Sequence, residues 1–593
     1  MGIEADLVIR GGAVIDGTGR EPFHADVAVK DGRISAVGDV PDRGREEIDA
    51  RGRVVTPGFV DVHTHYDGQA VWDSHLAPSA LHGVTTAVMG NCGVGFAPVR
   101  AGDHDTLIEL MEGVEDIPGP VLHQGLEFRW ESFAEYLDVL DAKPRDVDIC
   151  ALVPHAAMRV YTMGKRALAL EPANQGDIAA MRAIVADAVR AGAFGFSTSR
   201  TISHKTLKGD FTPTLRAQED ELTGIALGMR DVGAGFLELV SDWNEPDPAT
   251  EFALVRRVVE RSGRPVLFSL TARHDRTEAW RELLALSNEA AAAGLPIRPV
   301  FPPRPIGILL GLQGSQNPFS GAPSYKAIAH LPLADRVAAM RDPAVRARIL
   351  SEDRVTGSTF PLITRLSFSR MFPFSDPPNY APERESSIAA AAAREGRSPE
   401  EVAYDMLLAD EGMGFIFAAL TNYADFTLGA SAELLRHPNT IVGLSDGGGW
   451  QRYENVVFDS QGRPSDVDLA AAVRGSELIV VPTTAEGLSF RPLVGFLGRL
   501  GQMGASYKVL LTMVGWWNTQ ASEYRRQLEA AGQPVFGPEI RRRQAFDTAT
   551  QTGKLVYEFP HGRAQEAWRS YKKVADEAVE GIVGARRAMA GRR

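Results

Sequence analysis

This 593-residue chain lacks long apolar runs, a set of cysteines, and a phosphate-binding glycine loop. No stretch approaches the ~20 consecutive apolar residues that a membrane-spanning helix needs. The opening MGIEADLVIRGG has no basic region followed by an apolar stretch, so neither a membrane segment nor a signal peptide is expected. Cys92 and Cys150 are the only two cysteines, too few for a disulfide framework and consistent with a reducing cytosol. The net charge of -13 argues against a general nucleic-acid binder, which a phosphate backbone would repel. The pattern GxxxxGK[ST] is absent. Gly164-Lys165 is followed by Arg166 and Gly553-Lys554 by Leu555, with no glycine correctly placed upstream. A soluble cytoplasmic protein is the default expectation, with no membrane and no nucleic acid among its partners.

The composition, 44% hydrophobic and 23% charged, is that of a globular protein, and the length allows a large barrel plus something else. Residues 1–56 read as a small β-sandwich unit. ADLVIRGGAVIDGTG gives two apolar runs broken at Gly11-Gly12, and DVAVKDGRISAVG alternates around Asp31-Gly32, both hairpin signatures. From residue 57 to 449, apolar strand-like runs alternate with helical patterns such as IAAMRAIVADAVRAG. The runs are FVDVHTH, GVTTAVMGN, DVDICALVPH, GAFGFSTS, GFLELVSD, RPVLFSLTA, IRPVFP, MGFIFAAL and TIVGLSD. Strands buried on both faces and alternating with helices predict a parallel sheet, here a (β/α)8 TIM-like barrel with insertions. IAAAAAREG at 388–396 predicts a plain helix.

Chemistry concentrates in PGFVDVHTH, residues 57–65. His63 and His65 are separated by one residue on a strand, so their side chains leave the same face and can share one divalent cation. A bare HxH is also met where one histidine sits in a core and the other contacts a loop. The position after a β-unit and before a barrel-like series favours the ligand reading.

PGFVDVHTHYDGQ, followed by GVTTAVMGNCGVGFAPV at 83–99, resembles the amidohydrolase superfamily. Within it, the match is to D-aminoacylases and related N-acyl-D-amino-acid deacylases. The resemblance runs from about residue 5 to 449 and includes SFAEYLDVLD, ALVPHAAMRV, GAFGFSTSR and TIVGLSDGG. It implies a metal-dependent hydrolase barrel with His63, His65, Cys92 and Asp446 as metal ligands, zinc being the expected cation. Asp446, at the end of the last barrel strand, would also be catalytic. It would take a proton from an activated water and pass it to the leaving amine. His155, at a strand end, is a candidate to hydrogen-bond substrate or else a core residue. Ser199, Arg200 and Glu238 are candidate polar liners of the pocket, and Arg200 suits either a substrate carboxylate or a structural pairing. The substrate would be a small molecule, an N-acyl (D-)amino acid or related amide.

Two departures limit the site. Family members with a full zinc site carry one histidine on each of two middle strands, where this chain has Val240 and Leu270. His204 and His274 lie nearby in loop-like contexts and are not promoted to ligands. The reduced set suits one cation per chain at most. It leaves open an alternative, a catalytically impaired barrel used as a scaffold or binding protein.

Residues 450–593 read as a separate α/β segment, with strands at 455–459, 477–482 and 507–513. From about Tyr453 it resembles the C-terminal half of a ParA-type partition ATPase lacking its P-loop, a P-loop-NTPase-like half domain. VVFDSQG would carry the switch aspartate, Asp459, as a remnant. Such a junction near Gly449 would leave the N-terminal β-unit with an exposed edge and the barrel short of its last helix. Reduced stability and a tendency toward homo-oligomers are expected.

Overall fold

The computed structural model describes residues 5–206, 208–243, 247–314, 316–354, 367–375, 378–445 and 447, with short pieces between 479 and 535. The N-terminal unit consists of β1 (Ala5–Val14), β2 (Phe23–Lys30), β3 (Arg33–Gly38), β4 (Gly44–Asp49) and β5 (Val54–Val55). They form one sheet in the order β3-β2-β1-β4, with β5 also paired to β1, rather than the two packed layers of a sandwich. Asp31 and Gly32 take φ of 50° and 71°, the left-handed pair of a two-residue hairpin turn, as their sequence predicts. Gly11-Gly12 does not break the strand. The β1–β2 register shifts between Ile9 and Gly12 while β1 continues, so the glycines serve a bulge and not a turn.

The barrel strands follow: β6 (Phe59–Asp61), β7 (Val84–Met89), β8 (Asp148–Ala151), β9 (Val153–Pro154), β10 (Gly195–Arg200), β11 (Phe236–Ser241), β12 (Val266–Ser269) and β13 (Ile297–Phe301). All of their pairings are parallel. β8 and β9 are one strand position interrupted at Leu152, whose N–H still reaches Met89 O at 2.9 Å. Between them and outside them run helices such as Gln175–Ala191, which starts on an Asn174–Asp177 capping box and ends at Gly192. Its buried face, with Met181, Val185 and Val189, joins the main core. Each such side chain contributes roughly 1.5–3 kcal/mol of burial.

After β13 the chain leaves the barrel. β14 (Ile306–Gly311), β15 (Met371–Pro373) and β16 (Phe415–Thr421) form an antiparallel sheet, order β14-β16-β15. Helices including Ile388–Glu395, as expected for IAAAAAREG, pack there around a second core with Leu310, Phe319, Tyr404 and Ile416. MGFIFAAL is therefore not a barrel strand but the centre of an inserted unit. An apolar run marks burial on both faces, and burial does not reveal which sheet supplies it. The eighth barrel position is β17 (Ile441–Val442), parallel to β13. Closure against the first strand is marked by His65 N–H donating to Gly447 O at 2.7 Å. Gly443 contributes as well, since a Cβ there would stand 2.6 Å from Val62 Cγ2.

Beyond residue 447 the described pieces include β18 (Ile479–Thr484) and β19 (Tyr507–Thr512), a parallel pair where two strands are expected. Asp459 and almost all of the expected ParA-like half domain lie outside the described residues. Among the described residues, no helix is long and apolar enough to cross a membrane.

Among the described residues, β3 and β4 are the outer strands of the N-terminal sheet, and they expose Ile34 (68%), Val37 (48%) and Ile48 (44%). Apolar edge strands template association. Ile34→Lys combined with Val37→Lys should lower self-association in light scattering. The change in unfolding free energy should stay within roughly 0.5 kcal/mol, as for exposed substitutions.

Candidate metal centre

His63 and His65 follow β6 directly and are both buried, at 3% and 1% exposure. Their ring centroids lie 5.3 Å apart. The third component comes from GNCG after β7. Cys92 takes a left-handed φ of 54°, and Gly90 and Gly93 flank it at 84° and 70°. Those glycines let the loop press on the next strands. A Cβ on Gly90 would fall 2.1 Å from Leu152 O, and one on Gly93 would fall 3.1 Å from Ser199 N. Polar groups then pin the loop. Asn91 Nδ2 donates to Val88 O at 2.8 Å and Thr64 O at 3.1 Å, and Gly93 N–H donates to Ser197 Oγ at 3.0 Å. Ser197 in turn donates to Gly90 O.

The result is convergence. One donor atom each from His63, His65 and Cys92 lies within 4.8 Å of the others. Cys92 Sγ stands 3.3 Å from His63 Nε2, while His63 Nδ1 faces Glu238 Oε1 of β11 at 3.6 Å. Glu238 Oε2 also accepts the Cys92 N–H at 3.1 Å. His65 Nε2 lies 3.3 Å from Glu115 Oε2, at the end of helix His104–Glu115. Both carboxylates are nine-tenths or more buried. Beside them, burial lifts the Asp67 carboxyl to about 6, against the opposing pull of His65 and the Gly90 N–H.

These donors line a cavity of about 340 Å³ at the C-terminal ends of the strands, where (β/α)8 barrels place their chemistry. Val240 is on its wall, and Ser269 and Thr271 line it on either side of the buried Leu270. Neither middle strand supplies an imidazole there. His204 does line the cavity, with Nδ1 2.9 Å from Ser199 Oγ, although its loop-like sequence context does not point to a role. Glu115 carries no signal in the sequence, since it closes an amphipathic helix where an exposed carboxylate would be ordinary. Asp446 lies outside the described residues; Leu444 and Ser445 before it line the cavity.

The structure does not bring His155 or Arg200 to this cavity. His155 is fully buried, with Nδ1 2.9 Å from Thr198 Oγ1 and Nε2 3.0 Å from Glu221 Oε1. Burial lowers its pKa. Glu221 also accepts from Arg159; burial works to raise its pKa, but His155 and Arg159 together hold it below the usual range. These bonds tie His155 into a buried network with Thr198, Glu221 and Arg159. Arg200 pairs with Glu251 at 2.6 Å and donates to Ala217 O, so its guanidinium is committed to the protein. Ser199 is buried and reaches the cavity only through His204.

Residues 46–471 match the amidohydrolase family. The D-aminoacylase of Alcaligenes xylosoxydans xylosoxydans is 34% identical over 218 residues, 37% of this chain and 40% of that protein. The N-acyl-D-aspartate deacylase of the same organism is 34% identical over 256 residues, 42% of this chain and 47% of that protein. The chain thus spans less than half the length of these curated relatives. The crystal structure of N-acyl-D-glutamate deacylase from Bordetella bronchiseptica, complexed with zinc and a phosphonate inhibitor, is similar with a TM-score of 0.47. Identity is 24%, covering 75% of this chain and 76% of that one. The family match carries past residue 449, and the ParA-type resemblance gains no support from these relatives.

Two outcomes test this geometry. Glu238→Gln keeps the shape but weakens the hold on His63, and should lower zinc affinity by about 10–100-fold in chelator competition. Glu221→Ala leaves Arg159 buried without its partner, and should cost about 3–5 kcal/mol in denaturant unfolding.

Proposed function

The chain belongs to the amidohydrolase family, and from that premise we propose that it hydrolyses the amide C–N bond of an N-acyl amino acid, of the D series, at one divalent cation. The observation that carries this reading is the convergence of His63, His65 and Cys92 within 4.8 Å at the mouth of the barrel. Two imidazoles and a thiol suit zinc, and their buried setting with carboxylates behind them is what ligands require. A cation held there would supply Lewis-acid chemistry, polarising an amide carbonyl and making a water acidic.

The protein's own groups set the conditions for that chemistry. Glu238 orients the His63 ring through Nδ1 and holds the Cys92 backbone, so both donors face one point. Glu115 stands against His65 from the end of helix His104–Glu115. The apolar walls of the cavity keep bulk water from the donors and strengthen every charge interaction inside. Asp446 is the proposed proton carrier between water and leaving amine. Its support is its place in GLSDGG at the end of the last strand, next to cavity-lining Ser445. The D configuration rests on the D-amino-acid deacylases among the relatives.

Elemental analysis of the purified protein, alongside amine release from a panel of N-acyl-D- and N-acyl-L-amino acids, tests the reading. About one zinc per chain is expected. His63→Ala with His65→Ala should abolish both the zinc and the turnover. A folded protein that holds no metal and hydrolyses none of the panel would leave the barrel as a scaffold.

A further inference from the structure

Arg304 follows β13 and lines the cavity beside Ser445. Its Nη2 donates to Ser445 O at 2.7 Å and its Nη1 to Pro305 O at 3.1 Å. Both acceptors are neutral carbonyls. Among the described residues no carboxylate pairs with Arg304, in contrast to Arg200, which Glu251 neutralises. Among the described residues, then, two backbone carbonyls hold the guanidinium and neither cancels its charge, and a guanidinium has five N–H donors in all. Among the described residues that line the cavity, Arg304 is the one arginine or lysine.

The rest of the lining divides by chemistry. The metal-ligand end carries the Glu115 carboxylate, set against His65. The apolar part of the lining includes Ile306 and Ile308, which follow Arg304 closely in the chain, with Leu420, Leu444 and Val240. A ligand that satisfies this lining has one carboxylate for Arg304 and an apolar group for the wall.

We propose that Arg304 is the carboxylate anchor of the substrate site, and that the cavity selects monocarboxylates with apolar side chains over the N-acyl derivatives of acidic amino acids. The identity of the substrate as an N-acyl amino acid rests on the function proposed above; the anion subsite itself does not. A second carboxylate would find no second arginine or lysine among the described lining residues and would lose hydration against aliphatic carbon.

The test is isothermal titration calorimetry on the full chain as purified. The probes are non-hydrolysable ketone analogues of N-acetyl-D-leucine, in which a methylene replaces the amide N–H. They are used as the free acid, as its carboxamide, and with a carboxyethyl side chain in place of the isobutyl group. The acid should bind about 10–100-fold more tightly than the carboxamide, the range of a charge-assisted hydrogen-bonded contact. Arg304→Gln should erase that preference, and Arg304→Lys should retain part of it. The side chain is exposed, so neither variant is expected to unfold. Retention of the full acid preference in Arg304→Gln overturns the proposal, as does tighter binding of the dicarboxylate by the wild type. An acid preference that Arg304→Gln removes, in a protein that hydrolyses no N-acyl-D-amino acid, upholds the subsite and defeats the hydrolase reading instead.

Discussion

The Glu238 carboxylate is the contact on which the arrangement of the site depends. It rises from β11, is buried to 3% exposure, and reaches two residues from other parts of the chain, the backbone of Cys92 and the ring of His63. A carboxyl group buried in such a place is costly unless its oxygens find donors. That requirement turns the ring and the loop toward each other. It also explains the glycines around Cys92, because only a backbone without side chains can come this close to β9 and β10. The donor cluster is thus the meeting point of strands one, two and five of the barrel.

A division of labour follows from the topology. The early strands supply atoms suited to a cation. The segment after β13 and the inserted unit supply a fixed positive charge and aliphatic walls. Parallel barrel strands are held rigidly by neighbours on both sides, so they place donors accurately. An insertion between the last two strands is freer to vary, and it is there that selectivity among amides would be set.

Several elements are legible in the amino-acid order alone. The HxH pair, the strand–helix alternation, the Asp31-Gly32 turn and the helix at 388–395 depend on local chemistry, and local chemistry is what a sequence displays. The departures share one cause. MGFIFAAL and a barrel strand have the same apolar pattern, and Gly11-Gly12 suits a bulge as well as a turn. His155 and Arg200 sit at strand ends, as functional residues do, yet Glu221 and Glu251, 66 and 51 residues away in sequence, occupy them.

By itself, then, the sequence determined the type of chemistry available: which residues can bind a cation, that strands and helices alternate, and that no phosphate loop exists. Tertiary structure decided which of the polar residues converge. His204, Glu115 and Arg304 entered the cavity through packing between segments far apart in the chain, and His155 left it in the same way. Spacing along a strand fixes the direction of a side chain relative to its neighbours. Whether that direction ends in a cavity or against a buried carboxylate depends on partners that local pattern does not encode.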